Sequence, residues 1–317
     1  MKKYLLHIIL IFVVANVFGQ AEPSFDQYHF NQLAIHPAYA GTKGTFEATV
    51  FARRQWTAID GAPDTESLTL STQLANGKVG LGGKVLHDKI GVTDKYTFAI
   101  DYAYRIYTGG GVLSIGIELA ADQFNLNYIE LDAYQDGDPA FLNVPQNFTS
   151  FNAGAGAWFQ NDIVFAGLSV PRLLASGDEI TTSVDSVLNK LEVFDQSRNF
   201  YLTGGVLIKV SDLVDIKPYV LARYDFAAPP VIDNSISLIF ADAFWIGGTY
   251  RTTGAFSIMS QYILNAGNSI QDRYVSIGYA YSQQMDNYQS LFGPTHELFV
   301  SFLLDKKTTQ YKSPRFF

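Results

Sequence analysis

The sequence contains no cysteine among its 317 residues, and only 5 of them are histidines. Disulfides, thiol catalysis and cysteine-ligated metals are therefore excluded. None of the histidines beyond the first 20 residues, His29, His36, His87 and His296, pairs with another at metal-ligand spacing. We therefore predict no metal site and no cofactor.

Motifs of catalysis are also missing. Serines such as Ser67 and Ser71 alternate with apolar residues, as ordinary polar strand residues do, and no nucleophile motif surrounds them. Asp132, Asp136 and Asp138 form an acidic stretch without EF-hand spacing, so a solvated turn is the simpler interpretation and a Ca²⁺ site the alternative. The sequence predicts no catalytic residue and no enzymatic activity.

Long apolar runs are confined to the N-terminus. Lys2 and Lys3 precede an apolar run from Tyr4 to Val17, which small and polar residues follow. This pattern predicts a signal peptide over residues 1–19, with an anchor helix as the alternative. No other run approaches the ~18 apolar residues of a spanning helix. Basic residues are few as well: 22 Lys and Arg face 30 Asp and Glu, a balance that disfavours nucleic acid as a partner.

What the sequence does have is alternation. Between Lys95 and Ile106 the chain reads KYTFAIDYAYRI, so that one parity is aromatic or aliphatic and the other carries Lys95, Asp101 and Arg105. A strand sends successive side chains to opposite faces, which gives this segment one apolar and one charged face. Soluble two-sheet proteins also alternate, with the apolar face inward. Strand length, the 15% aromatic content and the export signal favour a barrel whose apolar face contacts lipid.

Alternating segments and turn signals predict about fourteen strands, with an uncertainty of two. Barrels of the bacterial outer membrane have even strand numbers and strands of about 9 to 11 residues. The predicted fold class is all-β: a single transmembrane antiparallel β-barrel over residues 45–305, after a short non-strand N-terminal segment. The predicted strands start near Thr45, Thr65, Lys78, Lys95, Val112, Phe151, Asp162, Asn199, Val214, Ile232, Ala243, Ala255, Asp272 and Thr295.

The connections support this topology. Tight turns at residues 75–77, 109–111, 160–161, 211–212 and 241–242 are expected on the periplasmic side. Longer connections at residues 56–64, 124–150, 171–198, 227–231 and 284–294 are expected outside. A soluble β-sandwich, the alternative, would not be expected to sort its long loops to one end. The short connection at 252–254 breaks the sorting, so register near the C-terminus is the least certain feature.

With the apolar parity against lipid, the polar parity lines the lumen. Arg or Lys facing lipid at the bilayer midplane would cost about 2–4 kcal/mol each, which fixes this orientation. Charges of both signs face inward, which indicates a plugged or narrow lumen, with a water-filled polar wall as the alternative. The predicted lumen charge network comprises Glu47, Arg53, Asp101, Arg105, Arg223 and Arg251.

Residues 20–44 precede the first strand, and Pro37 stops any long helix there. Their aromatic content favours an N-terminal arm or plug that tucks into the barrel, with a periplasmic linker as the alternative. Residues 306–317 form a C-terminal tail.

Motifs in the same region carry a family resemblance. The run PSFDQYHFNQLAIHPAYAGTKG, with ARRQWTAIDGAPD after it, resembles the start of the PorP/SprF family of the type IX secretion system of Bacteroidetes. The likeness continues through DGDPAF, GAGAWFQNDIVFAGLSVPRLL, KPYVLARY, FWIGGTYR and the closing SPRFF, nearly to the end of the chain. Departures from the usual pattern are Glu22 for Asp, Asp26 for Ser, Gln32 for Pro and His36 for Asn. Matching residues at the start are Pro23, Phe25, Gln27, Tyr28, Phe30, Asn31, Pro37, Ala38, Tyr39, Ala40, Gly41, Arg53, Gln55, Trp56, Gly61, Ala62 and Pro63.

The resemblance implies an outer-membrane component that supports secretion or cell-surface anchoring of cargo proteins, in some cases gliding adhesins, through protein–protein contacts. The expected partners are other type IX components, exported cargo and outer-membrane lipid. An outer-membrane transporter or porin-like channel for hydrophobic or small polar solutes is the alternative. The residues predicted to contact a partner are Phe25, Gln27, Tyr28, Phe30, Tyr39, Trp56 and Asp60.

Overall fold

The computed structural model describes residues 25–44, 46–127, 147–174, 177–184, 187–195, 198–226, 229–267, 271–285 and 289–306, with 177–184 and 187–195 described by backbone alone. The predicted signal peptide, the acidic stretch at 132–138 and residues 307–317 lie outside the described residues.

Strands dominate the described chain. Within the described residues, helical structure is limited to 3-10 turns at Tyr28–Phe30, Gln32–Ala34, Pro37–Tyr39 and Ala75–Gly77 and to a short helix α1, Gln289–Phe292. No helix in the described residues is long and apolar enough to cross a membrane. The strands are β1 Phe46–Arg54, β2 Asp64–Leu74, β3 Val79–Ile90, β4 Thr93–Thr108, β5 Gly111–Leu126, β6 Asn147–Gln160, β7 Val164–Val170, β8 Gly177–Val184, β9 Val187–Asp195, β10 Phe200–Val206, β11 Ile208–Lys209, β12 Val214–Tyr224, β13 Val231–Phe240, β14 Phe244–Arg251, β15 Ala255–Asn265, β16 Gln271–Gln284 and β17 Thr295–Lys306.

The sheet closes on itself. Every neighbouring pair is antiparallel, β1 pairs with β17, and β10 pairs with both β7 and β12. The hairpin β8–β9, which follows β7 and precedes β10 along the chain, forms a separate two-stranded sheet. The short β11 prolongs β10 in the same register against β12, since Gly205 faces Tyr219 and Ile208 faces Ile216. Fourteen strands therefore form the closed barrel, with β11 as an extra piece, and the predicted fold class is confirmed.

The barrel wall is apolar outside and polar inside. Along β4, Asp101 is fully buried while its neighbour Ile100 is 68% exposed, and the same alternation runs through β1, β2, β12 and β13. Leu119, which faces Ile100 across the β4–β5 pair, is 63% exposed as well. A row of exposed aliphatic and aromatic side chains is unfavourable in water and favourable against lipid acyl chains.

Tight connections collect at one end of the barrel, hereafter the short-turn end. They include residues 75–78, 109–110, 161–163, 210–213 and 241–243. The opposite, long-connection end carries residues 55–63, 127–146, 171–199, 225–230 and 285–294, together with two tight turns at 91–92 and 252–254. At the short-turn end, Asn76 and Gly77 both have positive φ, as an Asn-Gly turn requires.

The described N-terminal segment, residues 25–44 (the arm), lies inside the barrel. Its three 3-10 turns and almost all of its side chains are buried. Inward-facing glycines of the wall make room for its backbone. A Cβ at Gly116 of β5 would lie 2.4 Å from the amide nitrogen of Ala38, and a Cβ at Gly80 of β3 would overlap the carbonyl of Ala40. The interior of the barrel is therefore built around the arm.

Candidate functional site: the arm and the lumen

The arm is fastened at the long-connection end by a carboxylate of the last strand. The side chain of Glu297 accepts the backbone N–H of Asp26 at 2.8 Å and that of Gln27 at 3.0 Å. The Gln27 side-chain amide also donates to the Glu297 carbonyl at 3.3 Å. Two adjacent N–H groups aimed at one carboxylate form a charge-assisted pair of hydrogen bonds, which is stronger than a neutral pair.

Arginines extend this contact into a chain of ion pairs. Arg53 lies 2.7 Å from Glu297 and 3.9 Å from Asp26, and Arg251 lies 2.9 Å from Asp26 and 2.8 Å from Asp233. Arg223 completes the chain at 3.3 Å from Asp233. Three arginines and three carboxylates are buried here, so their formal charges balance. This latch network consists of Asp26, Arg53, Arg223, Asp233, Arg251 and Glu297.

Asp26 is the member of the latch network that the arm supplies. Burial raises the pKa of its carboxyl, but Arg251 and Arg53 outweigh burial and hold the pKa below its ordinary value of 3.8. Asp26 is therefore ionised at neutral pH and binds the two arginines as a charged group.

Aromatic rings fix the middle of the arm. Phe25 packs edge-on against Phe51 of β1, with ring centroids 5.0 Å apart. Phe30 lies between Trp245 and Phe299 at 5.6 and 5.0 Å. Edge-on and offset arrangements of this kind stabilise a core beyond the burial of their area.

His29 packs in the same part of the lumen, against a tyrosine of β12. The rings of His29 and Tyr219 lie 4.4 Å apart, and the Tyr219 hydroxyl is 3.2 Å from His29 Nε2. Burial, and then the nearby Lys217 and Lys43, lower the pKa of His29 well below 6.5. His29 is therefore packed as a neutral ring.

Between Ile35 and Gly41 the arm is held by neutral contacts, and beyond them Lys43 pairs with Glu47 of β1. Ser169 of β7 donates to the carbonyl of Ile35 at 2.6 Å, and the N–H of Gly41 donates to Ser71 of β2 at 2.7 Å. His36 and Tyr39 flank the Trp158 ring at 5.4 and 4.8 Å. Burial and then Lys84 lower the pKa of His36 to about 3, so this ring is neutral as well.

Two cavities lie on either side of the arm. One is reached from the long-connection end and lies between Ile35 of the arm and the wall residues Ser67, Lys84 and Arg172. The other, toward the short-turn end, is lined by Lys43, Glu47 and Trp245 among others. The arm lines both cavities, the first with Phe25 and Ile35 and the second with His29 and Lys43.

The structure brings only part of the predicted lumen charge network together. Arg53, Arg223 and Arg251 share the latch network. The other three members lie apart from it. Glu47 binds Lys43 of the arm at 2.7 Å, Asp101 lies 3.3 Å from Lys84, and Arg105 donates to Gln73 and the Gly77 carbonyl.

The predicted lumen charge network did not include Asp26, Asp233 and Glu297, the carboxylates that join the three arginines. Asp233 alternates with outward-facing residues of β13, so its inward parity is a usable signal. Asp26 carries no such signal, because it lies in a segment without strand periodicity. Among the described residues, no group of three or more His, Asp or Glu side chains is arranged to hold a metal ion.

Of the residues predicted to contact a partner, five lie in the arm and two at the rim. Phe25, Gln27, Tyr28, Phe30 and Tyr39 are buried, with the barrel wall around them. Trp56 and Asp60 lie in the connection between β1 and β2 at the long-connection end. The assignment of all seven to a partner stays a prediction, and for the five arm residues it requires the arm to leave the wall or a partner to reach into the lumen.

A closed antiparallel barrel with an apolar outer face and a charged interior is the architecture of outer-membrane β-barrel proteins. Solved structures with a similar fold include the CymD monoaromatic hydrocarbon channel, at 11% identity and a TM-score of 0.49, covering 93% of this chain and 96% of that one. Another is the outer membrane protein Omp33 of Acinetobacter baumannii, at 10% identity and a TM-score of 0.44, covering 84% and 99%.

The family follows from the sequence. The model of the type IX secretion system membrane protein PorP/SprF matches residues 17–302, and the chain belongs to this family. The resemblance stated from the motifs is thereby confirmed. No curated protein matches the sequence. Fold and family together support a location in the outer membrane.

Proposed function

We propose that this barrel supports the secretion or cell-surface anchoring of an exported cargo protein, through contacts with the cargo and with other type IX components. The observation that carries the proposal is the occupied lumen. The arm is bonded to the wall at both ends and packed against its rings, so the interior is filled by the chain itself. A barrel of this kind serves as a fixed scaffold in the membrane, and its partners bind to the connections at the two ends of the barrel.

Two connections at the long-connection end are joined to each other. These are residues 55–63 and 285–294, and they are joined because the N–H of Thr57 donates to Pro294 at 3.0 Å and that of Ala58 donates to Phe292 at 3.3 Å. Trp56 packs on Phe292 with ring centroids 5.1 Å apart. Loops positioned by a rigid scaffold carry binding function disproportionately. Cargo of the gliding-adhesin type, which the family resemblance implies, would dock on this side.

Purification of native complexes tests the proposal. The tagged chain, extracted in mild detergent, is expected to recover a type IX component or an exported cargo. The rim variant Ile59→Asp with Leu291→Asp should lose cargo, because it puts charge on exposed apolar positions of the rim. The matched control is Val210→Asp with Leu213→Asp, exposed positions at the short-turn end. Recovery of neither kind of partner by the unaltered chain would refute the proposal.

The competing function is a channel for hydrophobic or small polar solutes. A channel needs a continuous open path, whereas the buried arm occupies the lumen between the two cavities. The purified chain is therefore expected to conduct poorly in planar bilayers, and deletion of residues 25–44 should raise single-channel conductance. A high conductance of the intact chain, unchanged by the deletion, together with solute uptake lost when the protein is removed from cells, would favour the channel.

A further inference from the structure

The wall around the first residues of the arm has the features of a peptide-recognition site. Glu297 binds two consecutive backbone N–H groups, a contact that any polypeptide can make. Arg251 lies 2.9 Å from the carboxylate of Asp26, the residue that carries the first of these groups, and Arg53 lies 3.9 Å from the same carboxylate. Phe51 packs on the ring of the residue before it. The wall therefore contacts an aromatic residue, Phe25, followed directly by an acidic one, Asp26.

The charges of the wall part of the latch network balance only when an acidic group from the arm is present. The wall part of the latch network contains Arg53, Arg223 and Arg251 but only Asp233 and Glu297, and Asp26 of the arm supplies the third carboxylate. All five wall groups are buried or nearly so. A buried charge without its partner is strongly destabilising, so withdrawal of the arm leaves a cationic site that favours another carboxylate.

The location of the site makes it accessible from one side. Arg53, Glu297 and Arg251 belong to the long-connection ends of β1, β17 and β14. Phe25 also lines the cavity at that end. The rest of the arm is attached elsewhere: Gly41 bonds Ser71 near the short-turn end, and Ala38 is wedged against Gly116. The first residues of the arm can therefore leave the wall while its second half stays in place.

We propose that this wall is a recognition site for an aromatic–acidic peptide segment, occupied in cis by Phe25 and Asp26 and taken in trans by a partner segment of the same chemistry. The inference rests on the proposed function, since the partner segment would belong to the protein held at the long-connection end. It adds what that segment must contain: a carboxylate for Arg53 and Arg251, two free N–H groups for Glu297, and a preceding ring.

Peptide binding to the full-length chain in detergent tests the inference. The probe is a fluorescent synthetic peptide with the sequence SFDQYHFN of residues 24–31, and its partner peptide has Asn in place of Asp. We expect the Asp peptide to bind the Asp26→Asn chain at least ~10-fold more tightly than the unaltered chain, because the resident arm competes less well. The Asn peptide should bind at least ~10-fold more weakly than the Asp peptide.

Two variants control for the site. Arg251→Gln, added to Asp26→Asn, should abolish the preference for the Asp peptide. Glu47→Gln, which removes the pair with Lys43 at the other end of the arm, should not increase peptide binding. Equal binding of the two peptides to folded Asp26→Asn chain, or no binding of either, overturns the inference.

A second measurement serves if Asp26→Asn does not fold. The chain contains no cysteine, so a single cysteine in place of His29, which is 2% exposed, reports release of the arm through its labelling by a maleimide. The Asp peptide should accelerate labelling at least ~10-fold and the Asn peptide should not; equal rates overturn the inference. If native complexes still contain a type IX partner while neither peptide acts, the proposed function stands and only this inference fails.

Discussion

The carboxylate of Glu297 accepts the backbone N–H of Asp26, a residue 271 positions earlier in the chain. Glu297 also pairs with Arg53, which faces it across the contact between β1 and β17 where the barrel closes. One side chain thus takes part in closing the wall and in holding the arm. A change that loosens the arm at this point is therefore expected to weaken the seam of the barrel as well.

Replacing Glu297 by Gln tests this double role. Gln keeps the size of the side chain but removes the charge that Arg53 requires, and breaking a buried pair costs about 3–5 kcal/mol. Unfolding by urea from lipid vesicles, followed by tryptophan fluorescence, should show a loss of this order. Glu66→Gln is the matched control, because the Glu66 side chain is exposed and its ion-pair partner, His87, is 3.8 Å away, near the limit for such a contact. The free energy of unfolding of this variant should stay within about 0.5 kcal/mol of that of the unaltered chain. Equal stability of the two variants would contradict the role of Glu297.

A methyl group at Gly116 should displace the arm. The new Cβ would lie 2.4 Å from the Ala38 nitrogen, a backbone atom that cannot move alone. We expect Gly116→Ala to raise single-channel conductance and to lower the free energy of unfolding by about 1–3 kcal/mol, as overpacking does. Gly83→Ala is the control, since nothing lies within 4 Å of a Cβ there. Unchanged conductance in Gly116→Ala would mean that the arm adapts without leaving its place.

Mild acid should release the arm, because its buried histidines make the packed state less stable as the pH falls. The pKa of His36 falls from 6.5 to about 3 in the packed arm, so a released arm binds a proton that the packed arm does not. The packed state is fully stable above pH 6.5 and loses about 1.4 kcal/mol per pH unit as the pH falls from there toward 3. His29 acts in the same direction. Asp26 does not contribute between pH 7.5 and 5, because its pKa lies below 3.8.

Labelling of a cysteine introduced at Leu33, which is buried in the arm, measures this release. At pH 5, which is 1.5 units below 6.5, His36 alone should raise the released population about 30-fold over pH 7.5. The comparison uses labelling rates corrected for the ionisation of the thiol. His36→Gln should reduce the slope, and His87→Gln, a half-exposed position on β3, should leave it unchanged. A pH-independent population in the parent chain would contradict the assignment of neutral, buried rings.

The fold could be predicted from the sequence because side chains along each strand of a barrel wall alternate between the lumen and the lipid. Lys95, Asp101 and Arg105 fall on the buried face of β4, and Phe98 and Ile100 on the exposed one, as their parity indicates. The same rule placed Arg53, Arg223 and Arg251 inside. It could not say which charges meet, because pairs across the lumen depend on strand order, tilt and the path of the arm.

The arm was less predictable for a physical reason. Its 3-10 turns have no hydrophobic period, and it is shaped by the cavity that receives it. Aromatic content alone indicated that residues 20–44 form an arm or plug inside the barrel. Asp26 was noted only as a departure from the usual serine of the family, whereas in the structure it joins Arg53 and Arg251. Arg251 lies 225 positions further along the chain, so local sequence carries no trace of its contact with Asp26.

The outward face of β4 offers a test of the membrane orientation itself. Ile100 lies in the middle of the strand, 68% exposed, opposite Leu119 of β5. Lysine at this position would face acyl chains and should lower stability in vesicles by about 2–4 kcal/mol. Ile208→Lys is the control, because Ile208 is 46% exposed but lies at the short-turn end, where the cost should be about 0–1 kcal/mol. The cost of lysine at position 100 arises from contact with acyl chains. The difference in stability between the two variants should therefore shrink in vesicles of short-chain lipid, where the bilayer is thinner. Equal losses at both positions would mean that Ile100 does not face the centre of the bilayer.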